Sequence, residues 1–536
     1  MRILEIVDIK NWAIGQLAKV IQEENNHHQI EIMEIHPKDY RKEPERFNAE
    51  FEKKIIEFRP QIIHFHYWDT AKSLSDLKAT RGIKKILTHH NQRNLLTHKW
   101  DNIDVLVVHT EKAKKILQNA GYWNVELIQH GIDIEKFKYN ENYDCDNRLI
   151  GFVGRVCPWK GLYEILKVAK EINSEVVMMG RIDKGDYWKK CQEFDEQMDI
   201  RFDTPNEKQV EVYHEMACYV GNSSDNVEEG TLGLLEAMAC GIPVITTPSG
   251  EANDIIKHGE NGLVCGFEDY DSLKIMIERF LQMKPEEKNE MRENAWNTVR
   301  LMSKQVMARK YEKLYYTLVY KKDLVSVIIP SCGRADTITK VLNAYTKQTY
   351  EPIELVVAVD DVMCDSNCEN YPYEDILMEW KKNNDIPIRW LYTYNQGYGL
   401  AQARNMAIFE SVGNYLIFND DRFVPEPTAV QVFVNNLSPR KNLSAVWGDK
   451  GGGKRDFIEN FFIIRKKHIA NAGMFNERLN EYGGQSQEIR ERLRALGFDL
   501  QFEAGAIAKP IFGTHNKTKR RYELFRSKLK LWRLKN

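Results

Sequence analysis

The chain has 536 residues, with 76 Lys and Arg against 78 Asp and Glu and a formal net charge of -2. That length predicts several compact lobes rather than one core, and the near balance of charge excludes the whole molecule as an electrostatic partner for nucleic acid or an anionic membrane. Nine cysteines, scattered from Cys145 to Cys368 without zinc-type paired spacing, read as reduced cytosolic thiols. The opening M-R-I-L-E-I-V-D reads as a buried strand rather than a secretory signal, and no run approaches the roughly 20 apolar residues that span a bilayer. The expectation is a cytoplasmic chain, or one held peripherally on the inner membrane face.

Short β-branched runs recur between helical patterns at Ile3 to Val7, Ile62 to Phe65, Val105 to Val108, Leu149 to Val153, Val176 to Met179 and Val244 to Thr246. That rhythm predicts parallel sheets covered on both faces, hence an α/β fold. The polar stretch N-E-N-Y-D-C-D-N from Asn140 to Asn147 marks a joint between two lobes, 1–145 and 146–322. Met302 to Tyr320 reads as a long helix, after which L-V-S-V-I-I-P opens a third domain, 323–515. The tail 516–536 carries nine Lys or Arg from Lys517 onward against one Glu. On a helix Tyr522, Phe525, Leu529 and Trp532 share a face. Such a helix packs on its own domain, or meets an anionic lipid or polyanionic acceptor.

The most specific stretch is E-E-G-T-L-G-L-L-E-A-M-A-C-G-I-P from Glu228 to Pro243, with seven residues between Glu228 and Glu236. Gly230, Thr231 and Leu232 place backbone N–H groups at a helix start, where aligned peptide dipoles favour a diphosphate. Upstream, G-F-V-G-R-V-C-P-W-K-G supplies Arg155 and Lys160 to neutralise a departing diphosphate, an interaction that strengthens in the transition state. The two stretches resemble the E-x7-E and G-R-x4-K-G elements of family 4 glycosyltransferases, although Thr231 stands where that family commonly has Gly. The resemblance implies a GT-B fold of two Rossmann-like lobes over roughly the first 320 residues. It further implies retaining, metal-independent transfer from a nucleoside-diphosphate sugar, with Glu228 on the donor sugar and Glu236 on the ribose. L-T-H-H resembles the family's T-x-H-D, which places His89 or His90 near the sugar, and I-Q-H-G-I-D resembles its I-P-N-G-V-D. Gly15, after the first strand, is a point of close backbone approach to substrate. His64, His66, His109 and His130 also end or follow strands, where doubly wound sheets gather ligands. None shows the paired spacing of a zinc helix.

From Leu324 the order V-S-V-I-I-P-S-C-G-R-A, E-L-V-V-A-V-D-D, A-Q-A-R-N-M-A-I and Y-L-I-F-N-D-D-R-F resembles family 2 glycosyltransferases of GT-A fold. The resemblance implies Pro330, Ser331 and Arg334 at the nucleotide, Asp360 or Asp361 at base or ribose, and Arg404 with Asn405 under the diphosphate. Asn419, Asp420 and Asp421 occupy the D-x-D position, where carboxylates hold a divalent cation, Mn2+ or Mg2+, with His515 a third ligand. Gln485 and Ser486 replace the acidic pair of the family's G-G-E-D block, and neither takes a proton at neutral pH. Glu488 or Glu481 serves instead, or the module retains configuration, or it is reduced to binding sugar.

The preferred reading is a bifunctional glycosyltransferase whose two sites act in turn on a glycan or other hydroxyl acceptor. A polysaccharide or lipid-linked glycan comes first among acceptors, protein second and a modified nucleic-acid base third. The first alternative is one working GT-B enzyme with a degenerate GT-A-like module that binds acceptor or scaffolds. A lectin-like regulatory protein ranks lower, and an NAD-type enzyme lower still, because no G-x-G-x-x-G follows Val7.

Overall fold

In the computed structural model three sheets form in chain order, each starting from a β-branched run of the kind read above. The structure describes residues 1–536 except 11–12, 26, 93–94, 184, 203–207, 226–227, 361–371, 394–398, 438–442, 452–456, 480–483 and 512–536. The chain divides into two compact units, Met1–Tyr311 and Glu312–Asn536. Both fall in the α/β class.

The first sheet holds β1 (Arg2–Val7), β2 (Gln29–Glu34), β3 (Ile62–Phe65), β4 (Lys84–Thr88), β5 (Val105–Val108) and β6 (Val125–Leu127), in the order β2-β1-β3-β4-β5-β6. Every pairing in it is parallel. β3 and β5 are buried at all four positions, as strands covered by helices on both faces must be.

The second sheet holds β7 (Ile150–Val156), β8 (Val176–Ile182), β9 (Met198–Phe202), β10 (Cys218–Gly221), β11 (Val244–Thr246) and β12 (Leu263–Val264), in the order β12-β11-β10-β7-β8-β9. Strand order reverses between β7 and β10, which opens a crevice beyond their carboxyl ends. The polar segment Asn140–Asn147 is irregular but fastened to this lobe. The Asn140 N–H donates to Cys240 O at 2.9 Å, Tyr143 Oη to Ala217 O at 2.6 Å and Asn147 Nδ2 to Glu215 O at 2.7 Å.

The helix Lys304–Tyr320 follows the second lobe, and its first half packs back on the first sheet. Asn25 Nδ2 donates to Ala308 O at 3.2 Å, and the Tyr311 hydroxyl lies 3.3 Å from Thr88 Oγ1. The boundary between the two units falls within this helix, at Tyr311/Glu312.

The second unit is built on β13 (Val325–Ser331), β14 (Ile353–Asp360), β15 (Ile388–Thr393), β16 (Tyr415–Asn419), β17 (Phe423–Pro425), β18 (Leu443–Asp449), β19 (Phe461–Arg465) and β20 (Asp499–Pro510). Their order is β15-β14-β13-β16-β19-β18-β20-β17. β13, β14, β15 and β16 run parallel and β19 antiparallel to β16. Order reverses between β13 and β16, so the N-D-D triplet at the end of β16 faces the S-C-G-R loop after β13. Glu354, buried in β14, accepts from Ser326 Oγ, the Val412 N–H and Arg389, which also pairs with Glu312. No described helix is long and apolar enough to cross a membrane. The basic tail and His515 lie outside the described residues.

Candidate functional sites

In the first unit Arg155 lies near the end of β7, and the loop that follows carries the short turn Pro158–Lys160 and Gly161, which enters the next helix at φ 65. A side chain at Gly161 would be strained by that φ and would meet the Asn222 amide at 2.4 Å, so the sharp return of this loop requires glycine. Lys160 Nζ lies 3.3 Å from Glu228 Oε1, with the two side chains only 16% and 12% exposed. Two motifs about seventy positions apart in the chain therefore meet at the β7/β10 crevice. Arg155 flanks them, stacked on Trp159 and 3.7 Å from Asp183.

Thr231 precedes the helix Leu232–Ala239, and its hydroxyl is buried without a hydrogen-bond partner among the described residues. Leu232, the first helical residue, packs partly against the core of this lobe. Glu236, one turn inside, accepts from the Tyr213 hydroxyl, and desolvation pushes its carboxyl up to about 7. Gly15 makes its close approach to the chain's own loop: a Cβ there would fall 2.3 Å from Ile9 O. This gives the glycine a packing reason of its own.

The paired histidines separate. His89 is buried, edge-on to Trp100, and burial lowers its pKa to about 3. His90 faces His109 and His130 instead, with His90 Nδ1 3.2 Å from His109 Nε2. Of the two, His90 is the one joined to the strand ends of this site.

Two carboxylates that motif reading missed, Glu229 and Glu251, tie the second lobe to the strand ends of the first. Glu229 accepts from the His109 N–H at 3.1 Å and from Thr110 Oγ1 at 3.2 Å; Glu251 accepts from the His130 N–H at 2.6 Å and pairs with His130 Nδ1 at 3.0 Å. Glu229 lay in plain view beside Glu228, but no sequence signal distinguishes a carboxylate that holds backbone N–H groups from one that meets a ligand.

Burial raises the Glu229 carboxyl to about 8. Its pKa is higher folded than unfolded, so its contribution to stability is complete below the unfolded value near 4.5 and is lost as pH rises through about 8. Thermal melts from about pH 6 to about pH 9 should show wild type losing stability with a steeper slope than Glu229→Gln, whose neutral amide does not titrate. Parallel slopes would remove Glu229 as the source.

In the second unit Asp421 accepts from Ser331 Oγ at 2.7 Å and from Arg334 Nη1 at 2.8 Å. Tyr373 Oη braces the same loop, accepting from the Arg334 N–H at 2.7 Å and lying 2.8 Å from Ser331 Oγ. Pro330 pairs with Ala358 inside the sheet. Asp360 accepts from Thr393 Oγ1 at 2.9 Å and the Gly399 N–H at 3.0 Å, which fastens two strand-end loops. Asp361 and Glu481 lie outside the described residues.

Asp420 is held by Arg404 at 3.3 Å, Arg422 at 3.1 Å and Asn460 at 3.0 Å. Burial alone would raise its pKa, but Arg404, Arg422 and Lys450 outweigh that and hold it below the ordinary carboxylate value. For Asp421 burial wins and the pKa is raised. Arg404 is fully buried, and Gln485 accepts from its Nη1 at 2.9 Å. That contact explains a glutamine in the altered G-G-Q-S block: it positions an arginine. Asn405 clamps the loop at Phe475 O (2.9 Å) and Glu477 (2.8 Å). These contacts engage both terminal nitrogens of Arg404 and the amide of Asn405, while Arg404 Nε is buried without a hydrogen-bond partner among the described residues.

Glu488, on the helix Gln485–Ala495, pairs with Arg492 at 2.7 Å through both oxygens and lines an open cavity of 490 Å³ with Asn405 and Glu477. Asp420 and Asp421, the carboxylates expected to hold a metal, sit in different settings. Asp421 shares its charge with Arg334, which is one third exposed, and accepts from Ser331, whereas Asp420 is held by three partners. Asn419 Oδ1 is a buried oxygen without a partner among the described residues. Asn419 Oδ1 and the carboxylates of Asp420 and Asp421 are hard oxygen donors of the kind that Mg2+ or Mn2+ takes.

Residues 133–298 match the family model "Glycosyl transferases group 1", and residues 326–490 match "Glycosyl transferase family 2". The D-inositol 3-phosphate glycosyltransferase of Corynebacterium urealyticum is 27% identical over 276 residues, 41% of this chain and 64% of that protein. The UDP-Glc:alpha-D-GlcNAc-diphosphoundecaprenol beta-1,3-glucosyltransferase WfgD of Escherichia coli is 25% identical over 162 residues, 30% of this chain and 56% of that protein. The chain spans less than two thirds of the length of these curated relatives. Among solved structures, Anabaena HepE in complex with UDP aligns with a TM-score of 0.50 at 15% identity, over 59% of this chain and 100% of that one, a likeness of fold.

Proposed function

We propose that this chain, which carries one segment of each of two glycosyltransferase families, is a bifunctional glycosyltransferase using nucleotide-sugar donors. The observation that carries the reading is the meeting of Lys160 and Glu228 at the β7/β10 crevice. In the first unit, a family 4-type site, Lys160 and Arg155 take up the charge of the diphosphate as its bond to the sugar C1 breaks. N–H groups at the start of the helix Leu232–Ala239 face the phosphates, and Glu228 accepts from donor-sugar hydroxyls. The acceptor oxygen bonds to C1 on the face that the diphosphate leaves, and the acceptor proton passes to the departing phosphate oxygen, so configuration is retained. No protein nucleophile and no metal is needed at that site.

In the second unit Ser331 and Arg334 border the donor nucleotide, and Asn419 and Asp421 are the residues that would hold Mn2+ or Mg2+. Such an ion supplies positive charge against the donor diphosphate. Arg404 and Arg422 fix Asp420 beside them, and Glu488 receives the acceptor proton once Arg492 yields it. The acceptor that fits both units is a glycan or lipid-linked glycan, which the printed name of WfgD supports by analogy. A second reading, in which the second unit binds acceptor without transferring sugar, is favoured by the engagement of both Glu488 oxygens with Arg492.

Nucleotide release from UDP-, GDP- and CDP-sugars, with and without Mn2+, tests both. The expected result is one metal-free activity lost in Glu228→Ala and one Mn2+-dependent activity lost in Asp421→Asn. Metal-free activity alone, even with glycan acceptors present, would leave the second unit as a binding module. No donor turnover in either condition would end the transferase reading.

A further inference from the structure

Three consecutive strands of the first sheet deliver one imidazole each to a common point. His90 follows β4, His109 follows β5 and His130 follows β6. One ring nitrogen from each lies within 4.8 Å of the other two. His109 Nε2 is 3.2 Å from His90 Nδ1, and the His109 and His130 rings are 3.8 Å apart between centroids, tilted by 34°.

The surroundings fix which nitrogens carry hydrogen. Ile128 O lies 2.6 Å from His109 Nδ1; a carbonyl only accepts, so Nδ1 bears the hydrogen and neutral His109 presents its Nε2 lone pair. Glu251, fully buried, does the same to His130 Nδ1 from 3.0 Å and leaves His130 Nε2 as the lone-pair nitrogen. A backbone carbonyl on one ring and a carboxylate on another are the outer partners that orient and strengthen histidine ligands of a metal.

The spacing also suits an ion. With metal–nitrogen bonds of about 2.0–2.1 Å, two ligands of one tetrahedral ion stand about 3.4 Å apart, close to the 3.2 Å between His90 and His109. A donor set of three imidazoles selects zinc, copper or nickel over Mg2+ or Ca2+.

We infer that His90, His109 and His130 form a binding site for a Zn2+-class transition-metal ion, with a fourth position open to water or a ligand. The site abuts the donor-side loop, since a Cβ at Gly230 would fall 2.4 Å from His130 Cε1. A metal ion is a different occupant from the nucleotide sugar, and the inference stands or falls without the transferase reading. The competing arrangement is metal-free, with His90 Nδ1–H donating to His109 Nε2.

The test is titration of the chelator-stripped full-length chain with Zn2+ in competition with a chromophoric chelator, together with visible Co2+ spectra. One ion per chain is expected, with the Co2+ bands of a four-coordinate site. His90→Gln and His109→Gln should each weaken binding at least tenfold, and Glu251→Gln, which retains an amide oxygen but removes the carboxylate partner, about 10- to 100-fold. His36→Ala, at the residue preceding the helix Pro37–Lys42, should leave it unchanged. If His109→Gln fails to fold, Glu251→Gln and His90→Gln carry the comparison. Absence of stoichiometric binding would overturn the inference. So would binding that survives His90→Gln but is lost in His66→Gln, because the buried group Glu5, His64 and His66 would then be the ligand set.

Discussion

Lys160→Ala should lower kcat for the metal-free donor reaction by about 100- to 1000-fold, with a far smaller change in KM. The asymmetry follows from when the charge appears. In the ground state the diphosphate shares its charge with the sugar bond and with water; as C1–O breaks, a further negative charge gathers on the leaving oxygen beside Nζ. A cation held in a mostly desolvated crevice acts on that increment far more strongly than a mobile surface lysine would. Glu228 holds Lys160 there at 3.3 Å, so Glu228→Gln should also lower kcat, through lost contact to the sugar and through a less fixed lysine. Steady-state nucleotide release with each purified variant reads both. A rise in KM alone at unchanged kcat would mean uniform donor binding and would remove Lys160 from leaving-group stabilisation.

Arg404→Met should destabilise the second unit by about 3–5 kcal/mol. The guanidinium is fully buried among Asp420, Glu459 and Gln485, 5.0 Å from the Phe475 ring centroid. Methionine replaces the volume but leaves buried carboxylates facing each other. Arg422 and Asn460 still hold Asp420, which keeps the loss from being larger. Sign follows from the depressed pKa of Asp420: its stabilising share is present above the unfolded carboxylate pKa and is lost as pH falls through the folded one. Without Arg404 the folded pKa rises, so the variant should lose stability at higher pH than wild type. Hydrogen exchange over residues 400–425 localises the effect to this unit, and Arg404→Met combined with Asp420→Asn should recover part of it. No recovery in the double variant would mean that packing, and not the stranded charge, sets the cost.

How far the sites were legible depended on the kind of signal. Lys160 and Glu228 each lie in a stretch whose residue order already implies a phosphate-facing loop, and the fold brings them together. Asp420 and Asp421 read alike in sequence, because both are acidic residues after one strand. Only their neighbours divide them: Arg334 reaches Asp421 from the loop after β13, while Arg404 and Asn460 reach Asp420 from two other segments and Arg422 from its own loop. His89 and His90 divide in the same way, one against Trp100 and one toward His109.

By itself the sequence determined the alternation of β-branched runs with helices, and with it the α/β class, the strand positions and the loops that begin at strand ends. Those properties are local, since period, propensity and turn residues act within about ten positions. Tertiary structure alone decided which strand ends became neighbours. The order reversal between β7 and β10 sets Lys160 against Glu228, and the one between β13 and β16 sets Arg334 against Asp421. It also decided the role of the quiet residues. Glu229, Glu251 and Gln485 are ordinary polar side chains until burial makes each of them complete a hydrogen bond, because a desolvated polar group without a partner costs more than the chain can spare.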